Sequence, residues 1–163
     1  MLTKSALHQA ATSDLDEGAV TPAYGPHRDA IVKLLNDALA TELVIVLRHK
    51  RATTTADGLN HQPSPPNSLV HANEESAHAD MIAQRIYRPT GRRARLFASI
   101  AAERSHADYD ESSDLKAMVR ANLVAERIAV EAYRQMINLI GDKDPTTRRM
   151  LEGILADEEH ATN

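Results

Sequence analysis

Four segments of the chain repeat apolar positions at alternating steps of three and four residues, the spacing that keeps side chains on one face of an α-helix. These segments predict four amphipathic helices, which cover roughly 27–54, Ser68 to Tyr87, Leu115 to Ile140, and Pro145 to the end. The inward positions are Ile31, Leu35, Ala38, Glu42, Ile45 and His49 in the first helix, Ser68, Ala72, Glu75, Ala79, Ile82 and Ile86 in the second, Leu115, Val119, Asn122, Glu126, Ala129, Tyr133, Met136 and Ile140 in the third, and Met150, Ile154, Asp157 and Ala161 in the fourth.

Residues that start and stop helices agree with these boundaries. Pro89 follows the second helix, and Gly141 follows the third. Asp144 is a suitable N-cap for the fourth helix, because Pro145 then takes the first helical position, where its missing N–H costs nothing. The third and fourth helices are therefore predicted to form a tight helical hairpin.

The connection between the second and third helices predicts the topology. The interval from Arg88 to Ser112 has no helical period, although it contains a short apolar piece, Leu96 to Ala102. About 25 residues easily span a helix of about 30 Å, so the second and third helices can run parallel. The chain is predicted to be all-α, a four-helix bundle with one long crossover. Residues 1–24 have no apolar face and predict a flexible tail before a domain over 25–163.

Composition narrows the chemistry. The 163 residues suit one domain, and an aromatic content of 3% argues against a β-sandwich. Because there is no cysteine, disulfides, thiol catalysis and iron–sulfur ligation are excluded, and any metal must be held by histidines and carboxylates. A net charge of −4 is too small to indicate a nucleic-acid partner. The longest apolar run, Leu43 to Leu47, is too short to span a membrane, so a cytoplasmic protein without a membrane partner is predicted.

Each of the four helices carries an acid at an inward position: Glu42, Glu75, Glu126 and Asp157. A buried carboxylate costs several kcal/mol unless it is paired, protonated or bound to a cation. Lysine and arginine are absent from the inward positions near these acids. The counter-charge must therefore come from outside the chain, and a pair of divalent metal ions would balance four carboxylates.

Two histidines have the spacing of metal ligands. His78 follows Glu75 by one helical turn, and His160 follows Asp157 at the same distance. One carboxylate from each of two helices, together with a carboxylate-x-x-His pair from each of the other two, is the ligand pattern of di-iron and di-manganese carboxylate proteins.

The chain resembles the ferritin-like superfamily, nearest to bacterioferritins and the related Dps-like proteins, over roughly residues 24–163. The resemblance is carried by four stretches, which are Leu39 to Leu43, His71 to Asp80, Leu123 to Arg127, and Ile154 to Ala161. It implies a ferritin-like bundle with a ferroxidase di-iron centre. In that centre Glu42 and Glu126 would be terminal ligands, Glu75 and the acid of the fourth helix would bridge, and His78 and His160 would each bind one iron.

Two positions depart from the family pattern. The family has glutamate where Asp157 stands, so Glu158 is the alternative ligand in the fourth helix. Bacterioferritins bind haem through a methionine where this chain has Ser76, so no haem is expected there. The resemblance implies oxidation of Fe(II) to Fe(III) with O2 or H2O2, and iron storage in a homo-oligomeric shell of 12 or 24 subunits.

Other functions remain open on the sequence alone. The same ligands would serve a redox enzyme that stores no iron and uses iron or manganese, and zinc could also bind them. A Dps-type module that protects DNA would use the basic residues Arg88, Arg92, Arg93 and Arg95, but these lack interleaved aromatics, and a solvated linker is favoured. A structural bundle with vestigial ligands is the last alternative. Tyr133, two turns beyond Glu126, either packs in the core or forms a hydrogen bond to a ligand.

Overall fold

The computed structural model describes residues 3–13, 27–58, 68–90, 103–109 and 114–161. In this part of the chain all regular structure is helical, and the all-α prediction is confirmed. The helices are α1 (Lys4–Thr12), α2 (Arg28–Gly58), α3 (Ser68–Thr90), α4 (Leu115–Ile140) and α5 (Pro145–Ala161). Helices α2 to α5 correspond to the four predicted helices, and α3 continues one residue past Pro89 rather than ending before it.

Of these five helices, α1 alone was not predicted by the sequence pattern. The Thr3 side chain caps it by accepting a hydrogen bond from the backbone N–H of Ala6, at 3.2 Å. The helix has no buried residue, and Leu7 is 52% exposed, so no apolar stripe marks it in the sequence. The flexibility of the N-terminal segment remains a prediction, and residues 14–26 lie outside the described part.

Helices α2 and α3 are antiparallel neighbours. Near the middle of α2, Glu42 lies beside His78, with Oε2 and Nδ1 3.8 Å apart. Further along α2, His49 stacks on His71, with ring centroids 5.4 Å apart. Residue numbers therefore rise along α2 while those of the partners on α3 fall, as in a helical hairpin.

Helix α4 also packs antiparallel to α2. Tyr133 donates a hydrogen bond to Glu42, and His49 pairs with Glu126 two turns earlier on α4. Because α3 and α4 both run opposite to α2, they run parallel to each other. The predicted topology, with a long crossover between these two helices, is confirmed.

The crossover ends against α2. The backbone N–H of His106 donates to the Thr41 hydroxyl at 3.0 Å, and the Arg48 guanidinium donates to the backbone carbonyl of Asp108. The apolar piece Leu96 to Ala102 and the basic residues Arg92, Arg93 and Arg95 lie outside the described residues.

The hydrophobic core fills the bundle between the stripes. Most of the predicted inward apolar positions are buried, although Val119 is 45% exposed. The core contains Ile31, Leu35, Ala38, Leu39, Ile45, Ala79, Ile82, Ile86, Ala107, Ala125, Ala129, Tyr133, Met136, Ile140, Leu151 and Ile154. This packing fixes the rotation of each helix about its axis, and hence which polar side chains face inward.

A buried polar network fixes the start of α5. Asp144 accepts a hydrogen bond from the backbone N–H of Thr147 at 3.0 Å, which confirms its predicted role as N-cap. The Arg85 guanidinium on α3 binds both Asp144 oxygens at 3.0 and 2.9 Å and donates to the Thr147 hydroxyl at 2.6 Å. Gly141 ends α4 with φ 51°, a backbone conformation that favours glycine. The tight hairpin predicted for α4 and α5 is thereby anchored to α3.

Candidate metal centre

Four side chains from three helices converge inside the bundle. One ligating atom from each of Glu42, Glu75, His78 and Glu158 lies within 4.8 Å of the others. Glu42 comes from α2, Glu75 and His78 come from α3, and Glu158 comes from α5. Their exposed fractions are 0%, 2%, 5% and 0%, so all four side chains are almost completely buried.

His78 lies at the middle of this four-residue cluster. Its Nδ1 is 3.1 Å from Oε1 of Glu158, 3.4 Å from Oε2 of Glu75 and 3.8 Å from Oε2 of Glu42. The i, i+3 spacing of Glu75 and His78 on α3 places both side chains on the inward face. Three carboxylates thus surround a single imidazole, which can carry at most one positive charge.

The cluster is short of hydrogen-bond donors. Oε2 of Glu42 and Oε2 of Glu75 are buried and have no hydrogen-bond partner among the described residues. An unsatisfied buried acceptor costs about 1–3 kcal/mol, and a charged one costs more. A cation bound to these oxygens would remove that cost. Oxygen and imidazole ligands suit iron, manganese and zinc, so the residues present fit a metal ion.

The pKa values follow from burial and crowding. Burial, together with the neighbouring Glu75, raises the pKa of Glu42 well above its ordinary value of 4.5. Burial also raises the pKa of Glu158 to about 7. Burial alone would raise the pKa of Glu75, but the neighbouring His78, Glu42 and Glu158 together outweigh burial and lower this pKa to about 2. Burial alone would lower the pKa of His78, but the adjacent Glu158 and Glu75 together outweigh burial and raise this pKa to about 10. The metal-free cluster therefore retains protons that a metal ion would displace.

Tyr133 supports the cluster from α4. Its hydroxyl donates a hydrogen bond to Oε1 of Glu42, and the side chain is 2% exposed. Burial and the charge of Glu42 raise the pKa of Tyr133 well above its ordinary value of 10, so the hydroxyl stays protonated and remains a donor. Of the two roles predicted for this residue, hydrogen bonding to a candidate ligand is confirmed alongside packing.

Glu126 is buried, as the stripe predicted, but it contacts His49 rather than a residue of the four-residue cluster. Its Oε1 lies 2.9 Å from Nε2 of His49, and it is not one of the four residues whose ligating atoms lie within 4.8 Å of one another. Both partners are buried, His49 to 4% and Glu126 to 5% exposure. Sequence reasoning did not select His49 as a candidate ligand, although the stripe placed it inward, seven residues after Glu42.

The inward acid of α5 is Glu158, and the placement of Asp157 on the inward face was wrong. The Asp157 side chain is 69% exposed, with Oδ2 3.5 Å from Nε2 of His78, whereas Glu158 is fully buried. The buried residues of α5 are Thr147, Leu151, Ile154 and Glu158, so the true stripe is displaced from the predicted one. His160 is exposed as well, and the residue one turn after Glu158 is Ala161.

Comparison with known proteins identifies the family. The sequence model of the ferritin-like domain matches residues 32–163, which is most of the chain. The chain belongs to the ferritin-like family. No curated protein matches it significantly.

The centre of this ferritin-like bundle opens to solvent through a cleft between α3 and α5. The cleft has a volume of about 850 Å³ and reaches Glu75, His78 and Glu158. Further residues of the types that bind metals also line the cleft, namely His71, Glu74, Asp157 and His160. In the described helices, no segment combines the length and the hydropathy needed to cross a bilayer. The cleft gives ions in solution a route to the buried carboxylates.

Proposed function

We propose that this ferritin-like protein binds Fe(II) at the four-residue cluster and oxidises it to Fe(III), with O2 or H2O2 as the electron acceptor. The observation that carries the proposal is the burial of three carboxylates around one imidazole, with carboxylate oxygens of Glu42 and Glu75 left without hydrogen-bond partners among the described residues. Carboxylates favour the higher charge of Fe(III), so the same ligands make the loss of an electron easier.

The residues of the cluster would have distinct roles. Glu75 has the lowest pKa of the cluster and is ionised in the absence of metal, so it supplies negative charge to an arriving cation. His78 must lose its extra proton before its ring nitrogen can bind a metal, so binding should release protons to solvent. Tyr133 orients Glu42 by its hydrogen bond. Asp157, at the mouth of the cleft and 3.5 Å from His78, is placed to receive ions first.

We further propose that a second iron ion binds next to the cluster, as the sequence pattern predicted. The burial of Glu126 beside His49 supports this, because a further buried acid in the bundle, added to the three of the cluster, needs its own counter-charge. The resemblance implies that His160 binds this second iron, with Glu126 as a terminal ligand and the acid of the fourth helix as a bridge.

The experiment is a stopped-flow measurement of Fe(II) oxidation. Metal-free protein is loaded with Fe(II) without oxygen and then mixed with aerated buffer or H2O2, and the Fe(III) absorbance is followed. We expect fast oxidation in the wild type and a rate more than about 10-fold lower in Glu75→Gln, which keeps the size of the side chain but removes its charge. Glu131→Gln, at an exposed position of α4, is the matched control and should keep the wild-type rate. Equal rates in Glu75→Gln and wild type would overturn the proposal.

Storage of the ferric product would require a closed homo-oligomer, which we also propose. Large apolar side chains are exposed on the outer faces of α2 and α4, including Leu47 at 55%, Val124 at 51% and Leu139 at 59%. Val124 and Leu139 line one open groove together with Leu34, and a contiguous exposed apolar patch favours a protein interface. Native mass spectrometry together with elemental analysis tests this and identifies the metal. A monomeric mass would indicate a redox enzyme that stores no iron. Manganese in place of iron would indicate the di-manganese alternative.

A further inference from the structure

Helix α5 does not bring a histidine into the bundle. Its buried acid is Glu158, and the residue one turn further on is Ala161, which cannot bind a metal. His160 is exposed, because it lies two residues after Glu158 and so points to another face of the helix. Two metal ions in this bundle would therefore lack the second imidazole, because the pattern with a carboxylate-x-x-His pair on each of two helices needs a histidine on α5.

One other histidine is available in the interior. Among the described residues, the buried histidines are His78, which belongs to the four-residue cluster, and His49, which is 4% exposed. His49 lies on the inward stripe of α2, two turns after Glu42. Side chains on a helix lean toward its N-terminus, so His49 leans toward the turn that carries Glu42 and hence toward the cluster.

The contact between His49 and Glu126 has the spacing of two ligands on one metal ion. Two donor atoms that bind a metal at about 2.1 Å and lie about 90° apart are about 3 Å from each other. Nε2 of His49 and Oε1 of Glu126 are 2.9 Å apart. A metal ion could therefore replace the shared proton with little movement of either side chain.

The surroundings of His49 argue against a purely structural role. Its other ring nitrogen, Nδ1, is buried and has no hydrogen-bond partner among the described residues. A buried polar atom left without a partner is destabilising, whereas an apolar residue of similar size would pack at no such cost. The stacked His71 ring contacts the face of the imidazole and does not satisfy this nitrogen.

We propose that His49, and not His160, supplies the imidazole of the second metal position, with Glu126 as its carboxylate partner. The proposal rests on the proposed function, since it assigns the second of two metals to a site next to the four-residue cluster. It also explains why Glu126 is buried in α4 while its oxygen faces His49 rather than His78.

The test is an oxygen-free titration of metal-free protein with Co(II), followed by visible absorption and by the number of ions bound. We expect two equivalents in the wild type and one in His49→Gln, because glutamine retains the size and a hydrogen-bond donor for Glu126 but is a poor metal ligand. His160→Ala should still bind two equivalents, and His8→Gln on α1 serves as the control for loss of an exposed histidine. Far-UV circular dichroism checks that each variant is folded.

A measurement on the wild-type protein removes the dependence on variants that fold. Cadmium-loaded protein with isotope-labelled histidines should show scalar coupling between cadmium and a ring nitrogen of both His78 and His49. Two equivalents retained in His49→Gln, one lost in His160→Ala, or coupling to His160 instead of His49 would each overturn the assignment. A single equivalent in the wild type would also overturn it, together with the second iron ion, and would leave Fe(II) oxidation at the four-residue cluster standing, whereas no binding at all would remove both proposals.

Discussion

Replacing Glu158 with glutamine should stabilise the metal-free protein at pH 8, although it removes a residue of the four-residue cluster. Glu158 is fully buried, and its Oε1 faces Nδ1 of His78 at 3.1 Å. Burial, the first cause, and the charge of Glu75 raise its pKa to about 7. Glutamine has nearly the same shape as the protonated acid, so the variant reproduces the neutral form at every pH.

The magnitude follows from linkage between protonation and folding. The carboxyl has an ordinary pKa of 4.5 in the unfolded chain and about 7 in the folded protein. Its protonated form is therefore favoured by folding, and the associated stability is fully present below pH 4.5 and is lost as the pH rises through 7. At about 1.4 kcal/mol for each pH unit between the two values, ionised Glu158 destabilises the folded state by about 3 kcal/mol at pH 8.

Urea unfolding in the presence of a chelator measures this effect. At pH 8, Glu158→Gln should raise the free energy of unfolding by about 3 kcal/mol, and at pH 4.5 the difference should fall below about 1 kcal/mol. Glu131→Gln is the control, because this acid is exposed on α4 away from the cluster and its change should stay within about 0.5 kcal/mol. If Glu158→Gln were no more stable than wild type at pH 8, or equally more stable at both pH values, the argument from burial would be refuted.

Two further predictions concern residues that support the helices and the cluster. Asp144→Ala removes the N-cap of α5 and the buried carboxylate that pairs with Arg85. It should therefore lower the free energy of unfolding, measured in urea, by about 3–5 kcal/mol. A loss below about 1 kcal/mol would contradict a stabilising buried pair. Tyr133→Phe removes the hydroxyl that donates a hydrogen bond to Glu42. It should weaken Co(II) binding, measured by calorimetry, by about 10–100-fold and leave the helical circular dichroism unchanged. An unaltered affinity would mean that this hydrogen bond does not orient Glu42 for metal binding.

The fold could be predicted almost completely from the spacing of apolar residues. Each of the four bundle helices appears in the sequence as a stripe, and the length of the connection after α3 was enough to predict parallel α3 and α4. Helix α1 escaped prediction because it buries nothing, and its cap at Thr3 alone is a weak signal. The four bundle helices were predictable because each buries one face, and burial of a face requires an apolar stripe in the sequence. Helix α1 buries no residue and therefore has no such stripe.

The inward-facing polar residues were predicted well on α2 and α3 and less well on α5. On α5, two overlapping stripes share Ile154, and one leads to Asp157 while the other leads to Glu158. Continuing the alternating steps of three and four from the other helices predicts the stripe through Asp157. Because an α-helix has 3.6 residues per turn, however, the next inward residue after Ile154 can lie either three or four positions further on. Thr147 and Leu151, both fully buried, decide the rotation in favour of Glu158. Their burial depends on contacts with other helices, which the sequence of α5 alone does not specify.

The pairing between α2 and α4 illustrates what the topology adds. Each helix carries an inward glutamate followed seven residues later by a hydrogen-bonding ring, Glu42 with His49 and Glu126 with Tyr133. Because the two helices are antiparallel, each ring contacts the glutamate of the opposite helix rather than its own. Glu42 thus contacts the hydroxyl of Tyr133, whose raised pKa keeps it protonated and unable to bind a metal ion at neutral pH. Glu126 contacts the imidazole of His49, which can bind a metal ion through a ring nitrogen. The two halves of this nearly symmetric arrangement therefore differ in chemistry: Tyr133 can only orient a ligand, whereas His49 can become one.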